Sequence, residues 1–293
     1  MKHLLVLLPI FLLSSPLLSQ SFVSVGNSGT ILISSDGISW TKRNSEKWEY
    51  LKGVTYGKGL FVTDGNSGTI LTSSDGISWT NRISGTSKYL RGVTYGKGRF
   101  LTVGFFGTIL TSQDGITWTE RTSGKFRNLS GITFGKGLFV TVGWYGTILT
   151  SSDGITWTQR NSGSQQFSLY GITYRNGLFV TVGESGTILT SPDGISWTKR
   201  TSGTPKELYG VAYGNGLFVT VGFFGTILTS PDGITWTKRT SGTWNFVRGV
   251  TYGIGHFVAV GETGTIITSP DGNSWTKRIS GTSKYLRGIT YKE

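Results

Sequence analysis

The chain has 293 residues, 36% of them hydrophobic, with 45 glycines, 6 prolines and a formal net charge of +13. It has no cysteine, which excludes a disulfide framework and a thiolate metal site. A chain of this length can bury a core without such cross-links.

Residues 1–20, MKHLLVLLPIFLLSSPLLSQ, have the composition of a secretory signal peptide. Lys2 is followed by an apolar run over residues 4–13, and Ser19 is a small residue beside the expected cleavage point. The run is too short for a transmembrane helix, and no other apolar run approaches the ~20 residues that span a bilayer. We expect residues 21–293 to form one domain that is exported to the periplasm or the cell exterior. The alternative is that residues 1–20 stay as a membrane anchor.

A motif of Ser, any residue, Asp-Gly, two further residues and Trp then recurs seven times. Its spacing is 39 residues, except for 40 between Asp153 and Asp193, and a fixed period near 40 indicates a repeat architecture. Asp-Gly favours a hairpin turn in which the carboxylate accepts backbone N–H groups. We therefore predict a structural role, and no metal site, for the turn carboxylates of Asp36, Asp75, Asp114, Asp153, Asp193, Asp232 and Asp271.

One repeat, residues 169–203, contains four short runs rich in β-branched and aromatic residues, separated by glycine-containing turns. We name the predicted strands A (169–174), B (178–182), C (187–190) and D (196–200). No stretch after residue 20 has a helical period. Four antiparallel strands per repeat, seven times over, predict an all-β fold, the seven-bladed β-propeller.

The two ends of the repeat array predict how the ring closes. After the leader the chain starts with a B strand at residues 22–25, and it ends with a lone A strand at 286–291. If the C-terminal strand A joins the N-terminal strands B, C and D in one blade, the ring has no open edge.

The motifs SPDGISW and SSDGITW resemble the Asp-box, or bacterial neuraminidase repeat, of sialidases and related propellers. The longer repeat, such as LYGVAYGNGLFVTVG followed by GTILTS, is similar to the photosystem II assembly-factor type of seven-bladed propeller. The resemblance covers the chain after the leader. It implies that the Asp motif is structural and lies away from any active site.

Catalysis has little support in the residue pattern. After the leader the chain has one histidine, His256, and no cysteine, so no nucleophile–base set can be assembled. The acidic residues outside the seven turns are scattered over different repeats. Two of their carboxylates could still face each other across the mouth of the central channel of a propeller, so a glycosidase remains an alternative. We expect a protein without catalytic residues, metal or cofactor.

The positive charge does not indicate nucleic acid binding. Seven arginines recur at the end of strand D, so they are spread around the outer strands as a solvated rim. Export also argues against a nucleic acid partner.

Alternation of the strands puts the B–C turns and D–A loops on one face of the disc, which we call the variable face because it differs between blades. The A–B and C–D turns share the other, repeat face. Aromatics that the repeat does not explain concentrate on the variable face, as is typical of an interaction surface. The candidate binding residues are Trp48, Phe106, Trp144, Tyr145, Phe224, Trp244 and Phe246. Alternatively, these loops bury their rings against one another as a lid. A mixture is a third option, with Phe105 and Phe223 buried and Phe106, Trp144 and Phe224 exposed.

The second residue of strand A also varies, and an innermost strand A would place it around the channel. The predicted channel-mouth residues are Lys52, Arg91, Tyr170, Tyr209, Arg248 and Arg287, with Ser130 at the seventh position. Four cations and two tyrosines could accept an anion, or they could simply be solvated wall residues. Asp64 stands where other repeats have Val, and we predict a cross-strand ion pair with Lys52.

These patterns favour an exported, monomeric binding module that engages a protein, peptide or envelope partner through its variable face. A lectin is the second hypothesis, because aromatic rings also stack on sugars, including those of a polysaccharide. A sialidase-like glycosidase is the third.

Overall fold

The computed structural model describes residues 20–43, 45, 48–124 and 127–293. The predicted signal peptide lies outside these residues except for Gln20. Within the described ranges, no helix has the length and hydropathy to cross a membrane.

Seven antiparallel four-stranded sheets make up the structure, and each is one blade with the strand order A-B-C-D. Strand A spans Leu286–Lys292 in blade 1 and, in blades 2–7, Leu51–Gly57, Leu90–Gly96, Leu129–Gly135, Leu169–Arg175, Leu208–Gly214 and Val247–Gly253. Strand B spans, in blade order, Ser21–Gly26, Leu60–Gly65, Arg99–Gly104, Leu138–Gly143, Leu178–Gly183, Leu217–Gly222 and His256–Gly261. Strand C spans Ile31–Ser34, Ile70–Ser73, Thr108–Ser112, Ile148–Ser151, Ile188–Ser191, Ile227–Ser230 and Ile266–Ser269. Strand D spans Thr41–Arg43, Thr80–Arg82, Thr119–Thr122, Thr158–Arg160, Thr198–Arg200, Thr237–Arg239 and Thr276–Arg278.

The ring closes through blade 1, as predicted. The last strand pairs antiparallel with the first, in a register that puts Phe22 opposite Tyr291. Strand A of each blade contacts strand A of the next, and Leu286–Lys292 contacts Leu51–Gly57 to complete the circle. The all-β, seven-bladed fold and its closure from both termini are therefore confirmed.

Two local features differ from the prediction. Strand D begins at Thr198 in blade 5 rather than at Ser196, because the backbone N–H of Ser196 is bound by the Asp193 carboxylate as part of the preceding turn. Each B–C turn is a short 3₁₀ turn, which the strand pattern did not indicate. These turns span Asn27–Gly29, Asn66–Gly68, Phe105–Gly107, Trp144–Gly146, Glu184–Gly186, Phe223–Gly225 and Glu262–Gly264.

The core lies between neighbouring blades. In one of seven such clusters, Val23, Val25 and Ile31 of blade 1 pack against Phe61 of blade 2, and the half-buried Trp79 covers the group. The Trp79 indole N–H donates to the Gly76 carbonyl in the turn, at 3.0 Å. Burying such a ring contributes a few kcal/mol, on the order of 2–3. The repeated tryptophan thus makes a hydrogen bond within its own turn and also packs against the core between two blades.

Candidate functional site

The carboxylate of each Asp-Gly turn accepts hydrogen bonds from donors within the same turn. In blade 5, Asp193 Oδ1 accepts the N–H groups of Ile195 and Ser196 at 2.8 and 2.9 Å and the Ser191 hydroxyl at 2.9 Å. The same three bonds recur at Asp36, Asp75, Asp114, Asp153, Asp232 and Asp271. The backbone N–H groups of Ile155 and Thr156 lower the pKa of Asp153 to about 2. The described part of the chain groups no three His, Asp or Glu side chains as a metal site would need.

The repeat face holds neighbouring blades together. Lys58 Nζ donates to the Gln113 carbonyl of the next blade at 3.2 Å, and Lys97 Nζ does the same to Ser152 at 3.0 Å. This face also exposes an isoleucine after the Asp-Gly pair in six blades, at 43–48% of its surface. These isoleucines, which are not among the predicted site residues, are Ile38, Ile77, Ile116, Ile155, Ile195 and Ile234. Each lies in a different blade, so the repeat accounts for them.

On the variable face, the first N–H of each 3₁₀ turn donates to the D–A loop of its own blade, and in blades 1, 2 and 6 the glycine N–H of the turn also donates to the following loop. The N–H of Asn66 donates to the Tyr50 carbonyl at 2.9 Å, and that of Gly68 donates to the Lys88 carbonyl in the following loop at 2.8 Å. The approach is close enough that a Cβ on Gly104 would lie 2.1 Å from the Tyr89 carbonyl oxygen. The loops and turns therefore form one connected surface.

The middle residue of every 3₁₀ turn is left-handed, although none of the seven is glycine. Phe106, Tyr145 and Phe224 have φ of 56°, 55° and 49°, in the region that costs an ordinary side chain about 1–2 kcal/mol. Their side chains are 61%, 56% and 46% exposed. The strained backbone thus presents large aromatic rings to solvent.

The first aromatic group spans blades 3 and 4. The half-buried Phe105 lies 5.5 Å from Tyr89, 6.3 Å from Phe106 and 5.8 Å from Trp144, between ring centroids. Arg91 lies over the Phe105 ring at 4.5 Å. Trp144 is half-buried, so the predicted mixture of buried and exposed rings holds in part.

The second aromatic group spans blades 6 and 7. The half-buried Phe223 lies 4.1 Å from Phe224 and 4.3 Å from Phe246. Lys206 lies over the Phe224 ring at 5.6 Å, and Arg248 over the Phe246 ring at 5.8 Å.

The remaining candidate aromatics lie outside these two groups. Trp48 and Trp244, on two different D–A loops, are 84% and 81% exposed. Tyr145 has Arg127 over its ring at 5.5 Å. Five of the seven predicted binding residues are thus exposed on the variable face, and Trp144 and Phe246 are half-buried there.

Each channel-mouth residue occupies a β-bulge in strand A. In blade 3, Leu90 pairs with Gly104 and Gly92 with Val103, which leaves Arg91 as the extra residue between them. The register shifts at the matching position in the other blades. A bulge re-aims a side chain, and here it turns one residue per blade toward the axis. The sequence located these residues by their variability, but gave no indication of the bulge.

The bulged residues line one cavity of about 270 Å³ at the channel mouth. Its wall consists of Lys52, Arg91, Ser130, Tyr170, Glu207, Tyr209, Arg248 and Arg287. Glu207, which we had not predicted, accepts a hydrogen bond from the Tyr209 hydroxyl. Tyr170 and Tyr209 lie 5.6 Å apart, and burial raises the pKa of Tyr170 to about 12. These tyrosines therefore remain hydroxyl donors at neutral pH.

The four cations of the cavity have no carboxylate partner. Among the described residues one ion pair forms, between Lys88 and Glu120 on the surface at 3.0 Å. Burial, and then the charges of Arg287, Arg91 and Arg248, lower the pKa of Lys52 to about 7. Arg248 stacks over the Tyr209 ring at 3.9 Å. The cavity is therefore a half-buried concentration of positive charge that joins both aromatic groups.

The predicted Lys52–Asp64 ion pair is wrong. Asp64 is fully buried; its Oδ1 accepts the Gly53 N–H at 2.8 Å and its Oδ2 accepts the Thr102 hydroxyl of blade 3 at 2.5 Å. The bulge moves Lys52 away from the facing position, where Gly53 lies instead. Burial raises the pKa of Asp64 to about 6, despite these hydrogen bonds.

Comparison with known proteins identifies the fold. No family model matches the sequence, and neither does any curated protein. YCF48 from Cyanidioschyzon merolae superposes with a TM-score of 0.61 at 16% identity, over 80% of this chain and 86% of that one. YCF48 bound to D1 peptide superposes with a TM-score of 0.64 at 15% identity, over 93% and 94%.

A third solved structure has a different activity. Catalytically inactive virginiamycin B lyase from Staphylococcus aureus, with quinupristin, superposes with a TM-score of 0.68 at 14% identity, over 89% of this chain and 96% of that one. Identities this low establish the shared fold alone. The chain is a seven-bladed β-propeller, similar in fold to YCF48.

Proposed function

We propose that this protein is an exported, monomeric, non-catalytic propeller that binds a partner protein or peptide through its variable face. The observation that carries the proposal is the continuity of the exposed aromatic rings with the basic channel mouth, described above. Rings of this kind are the usual anchors of protein interfaces.

The chemistry of the surface indicates what the partner presents. Arg91, Arg127, Lys206 and Arg248 each lie over an aromatic ring. A segment with both apolar and acidic side chains would complement rings and cations together. The fold similarity to YCF48 bound to D1 peptide agrees with a peptide partner.

The carboxylates near the site support binding rather than hydrolysis. Glu184 accepts the Ser168 N–H at 2.9 Å, Glu262 accepts the Phe246 N–H at 3.3 Å, and Glu207 is held by Tyr209. Glu207 is the carboxylate that lines the cavity among the described residues. A glycosidase needs two carboxylates facing the scissile bond.

Affinity capture from an envelope extract of the source organism tests the proposal. The test variant combines Phe106→Ser, Phe224→Ser and Trp244→Ser. The matched control combines Ile116→Ser, Ile155→Ser and Ile195→Ser on the repeat face. We expect the wild type and the control to retain one partner that the test variant loses. The proposal would be contradicted if the test variant captured every partner of the wild type, or if the control variant lost a partner that the test variant kept.

A further inference from the structure

The channel mouth contains more positive charge than the surrounding protein balances. Lys52, Arg91, Arg248 and Arg287 come from four consecutive blades and line one cavity with the single carboxylate of Glu207. The described residues give none of the four cations a carboxylate partner. Like charges held together in a half-buried site repel one another, and an anion in the cavity would relieve that repulsion.

The wall opposite the cations supplies neutral polar groups, among which the Tyr209 hydroxyl already donates to Glu207 and the Ser130 and Tyr170 hydroxyls do not. Ser130, Tyr170 and Tyr209 come from the other three blades and line the same cavity. Ser130 is 9% exposed, and neither its hydroxyl nor the Arg248 Nε has a hydrogen-bond partner in the structure. The Ser130 hydroxyl and the Arg248 Nε therefore have donor hydrogens available to a bound anion.

The cations are held in place without being neutralised. Arg248 stacks on Tyr209 and Arg91 on Phe105, while Arg287 Nε donates to Asn27 Oδ1 at 2.7 Å. Each contact fixes the direction of a guanidinium group and leaves its charge uncompensated. Fixed guanidinium groups suit oxyanions, which they bind through paired N–H donors.

We propose that the channel mouth is a binding site for a multiply charged oxyanion of the phosphate class. One carboxylate would neutralise a single cation of the four, whereas a phosphate or pyrophosphate group offers two or more charges and several acceptor oxygens. The cavity, at about 270 Å³, accommodates either anion. The site adjoins the aromatic groups of the proposed partner surface and shares Arg91 and Arg248 with it, but a free anion needs no partner protein to occupy it.

Thermal unfolding with added anions tests this inference. Wild-type protein, without its leader, is melted in sodium phosphate, sodium pyrophosphate, sodium acetate and sodium chloride at equal ionic strength. At ten times the dissociation constant, phosphate or pyrophosphate should raise Tm by about 3 °C relative to chloride. Acetate should match chloride. If acetate matched phosphate, a general carboxylate site would replace the proposal, and equal Tm in all four salts would overturn it.

Two double variants test whether the rise in Tm with phosphate comes from the channel mouth. Arg91→Gln with Arg248→Gln should abolish the phosphate response, and should fold at least as stably as wild type in chloride because repulsion is removed. Lys238→Gln with Lys277→Gln removes two exposed strand-D cations and should keep the response. If the first pair did not fold, Lys52→Met should weaken phosphate binding at least tenfold by calorimetry. An unchanged response in a folded pocket variant, or equal loss in the surface control, would refute the site. Failure here would leave the partner-capture result intact.

Discussion

Lys52 and Asp64 of blade 2 occupy surroundings that the repeat pattern alone does not specify. Asp64 replaces a buried valine, and its carboxylate accepts a hydrogen bond from the Thr102 hydroxyl of blade 3. In blade 4 the matching threonine, Thr141, donates instead to a strand A carbonyl of its own blade, that of Gly131, at 2.9 Å. The substitution was evident in the sequence, but its partner was not. A one-residue bulge moved the facing position from Lys52 to Gly53.

The charge of Lys52 should make stability depend on pH. Its folded pKa, about 7, lies below the ordinary 10.5, so between these values the unfolded chain binds more protons and stability rises with pH. Lys52→Met should remove this dependence. The variant should be more stable than wild type at pH 7.5 by about 1–2 kcal/mol, after allowance for solvent screening. Most of that advantage should vanish by pH 10.

Urea unfolding at the two pH values measures the difference. Above pH 7.5 arginine side chains stay charged, and the pKa of Asp64 in the wild type, about 6, lies below this range. Lys238→Met, on an exposed strand D, serves as the control and should track wild type. If the free energy of unfolding changed by the same amount between the two pH values in Lys52→Met and in wild type, the pKa of Lys52 would not be lowered in the folded protein.

At the scale of elements, the 3₁₀ turns and the strand-A bulges produce the variable face. Neither could be read from the sequence, since Asn-Ser-Gly and Phe-Phe-Gly fit an ordinary hairpin loop equally well. The hydrogen bonds from each turn to its D–A loops select the left-handed conformation. By contrast, the Asp-Gly turn could be predicted because its side chains satisfy its backbone within four residues.

Glycine at a left-handed position should be tolerated by the fold. The substitution Phe106→Gly relieves the backbone strain of a non-glycine residue at φ of 56°. This gain in stability offsets the greater conformational entropy of the unfolded chain and the lost contact with the Phe105 ring. We expect its free energy of unfolding to stay within about 1 kcal/mol of wild type. Phe105→Ala, which removes a ring packed on Tyr89 and Trp144, should cost about 2–3 kcal/mol. Equal destabilisation by the two substitutions, in urea unfolding, would show that Phe106 is a packing residue.

At the scale of the whole molecule, spacing and strand order were enough to predict the fold. Seven Asp-Gly turns at a nearly constant interval set the number of blades, and the incomplete repeats at the ends set the closure. The candidate binding surface could be predicted only as a set of residues. Its continuity with the channel depends on stacking such as Arg248 over Tyr209, which no spacing records.

Closure by the last strand should dominate global stability. Deleting residues 286–293 removes the buried Leu286 and the contact of Tyr291 with Phe22 at 4.8 Å, and opens an edge in blade 1. We expect the truncated protein to lose cooperative thermal unfolding, followed by circular dichroism, and a peptide of residues 286–293 to restore it. Deleting Glu293 alone is the control and should change Tm little. A truncated protein that melts within a few degrees of wild type would contradict closure as the main constraint.

Site-directed photo-crosslinking in the source organism tests the central claim, that the variable face is where the partner binds. A photoreactive residue replaces Phe106 or Phe224 on that face, or Ile116 or Ile195 on the repeat face, and crosslinked proteins are identified by mass spectrometry. The structure predicts one and the same partner from positions 106 and 224, and none from positions 116 and 195. A partner captured from the repeat face, with none from the variable face, would contradict it.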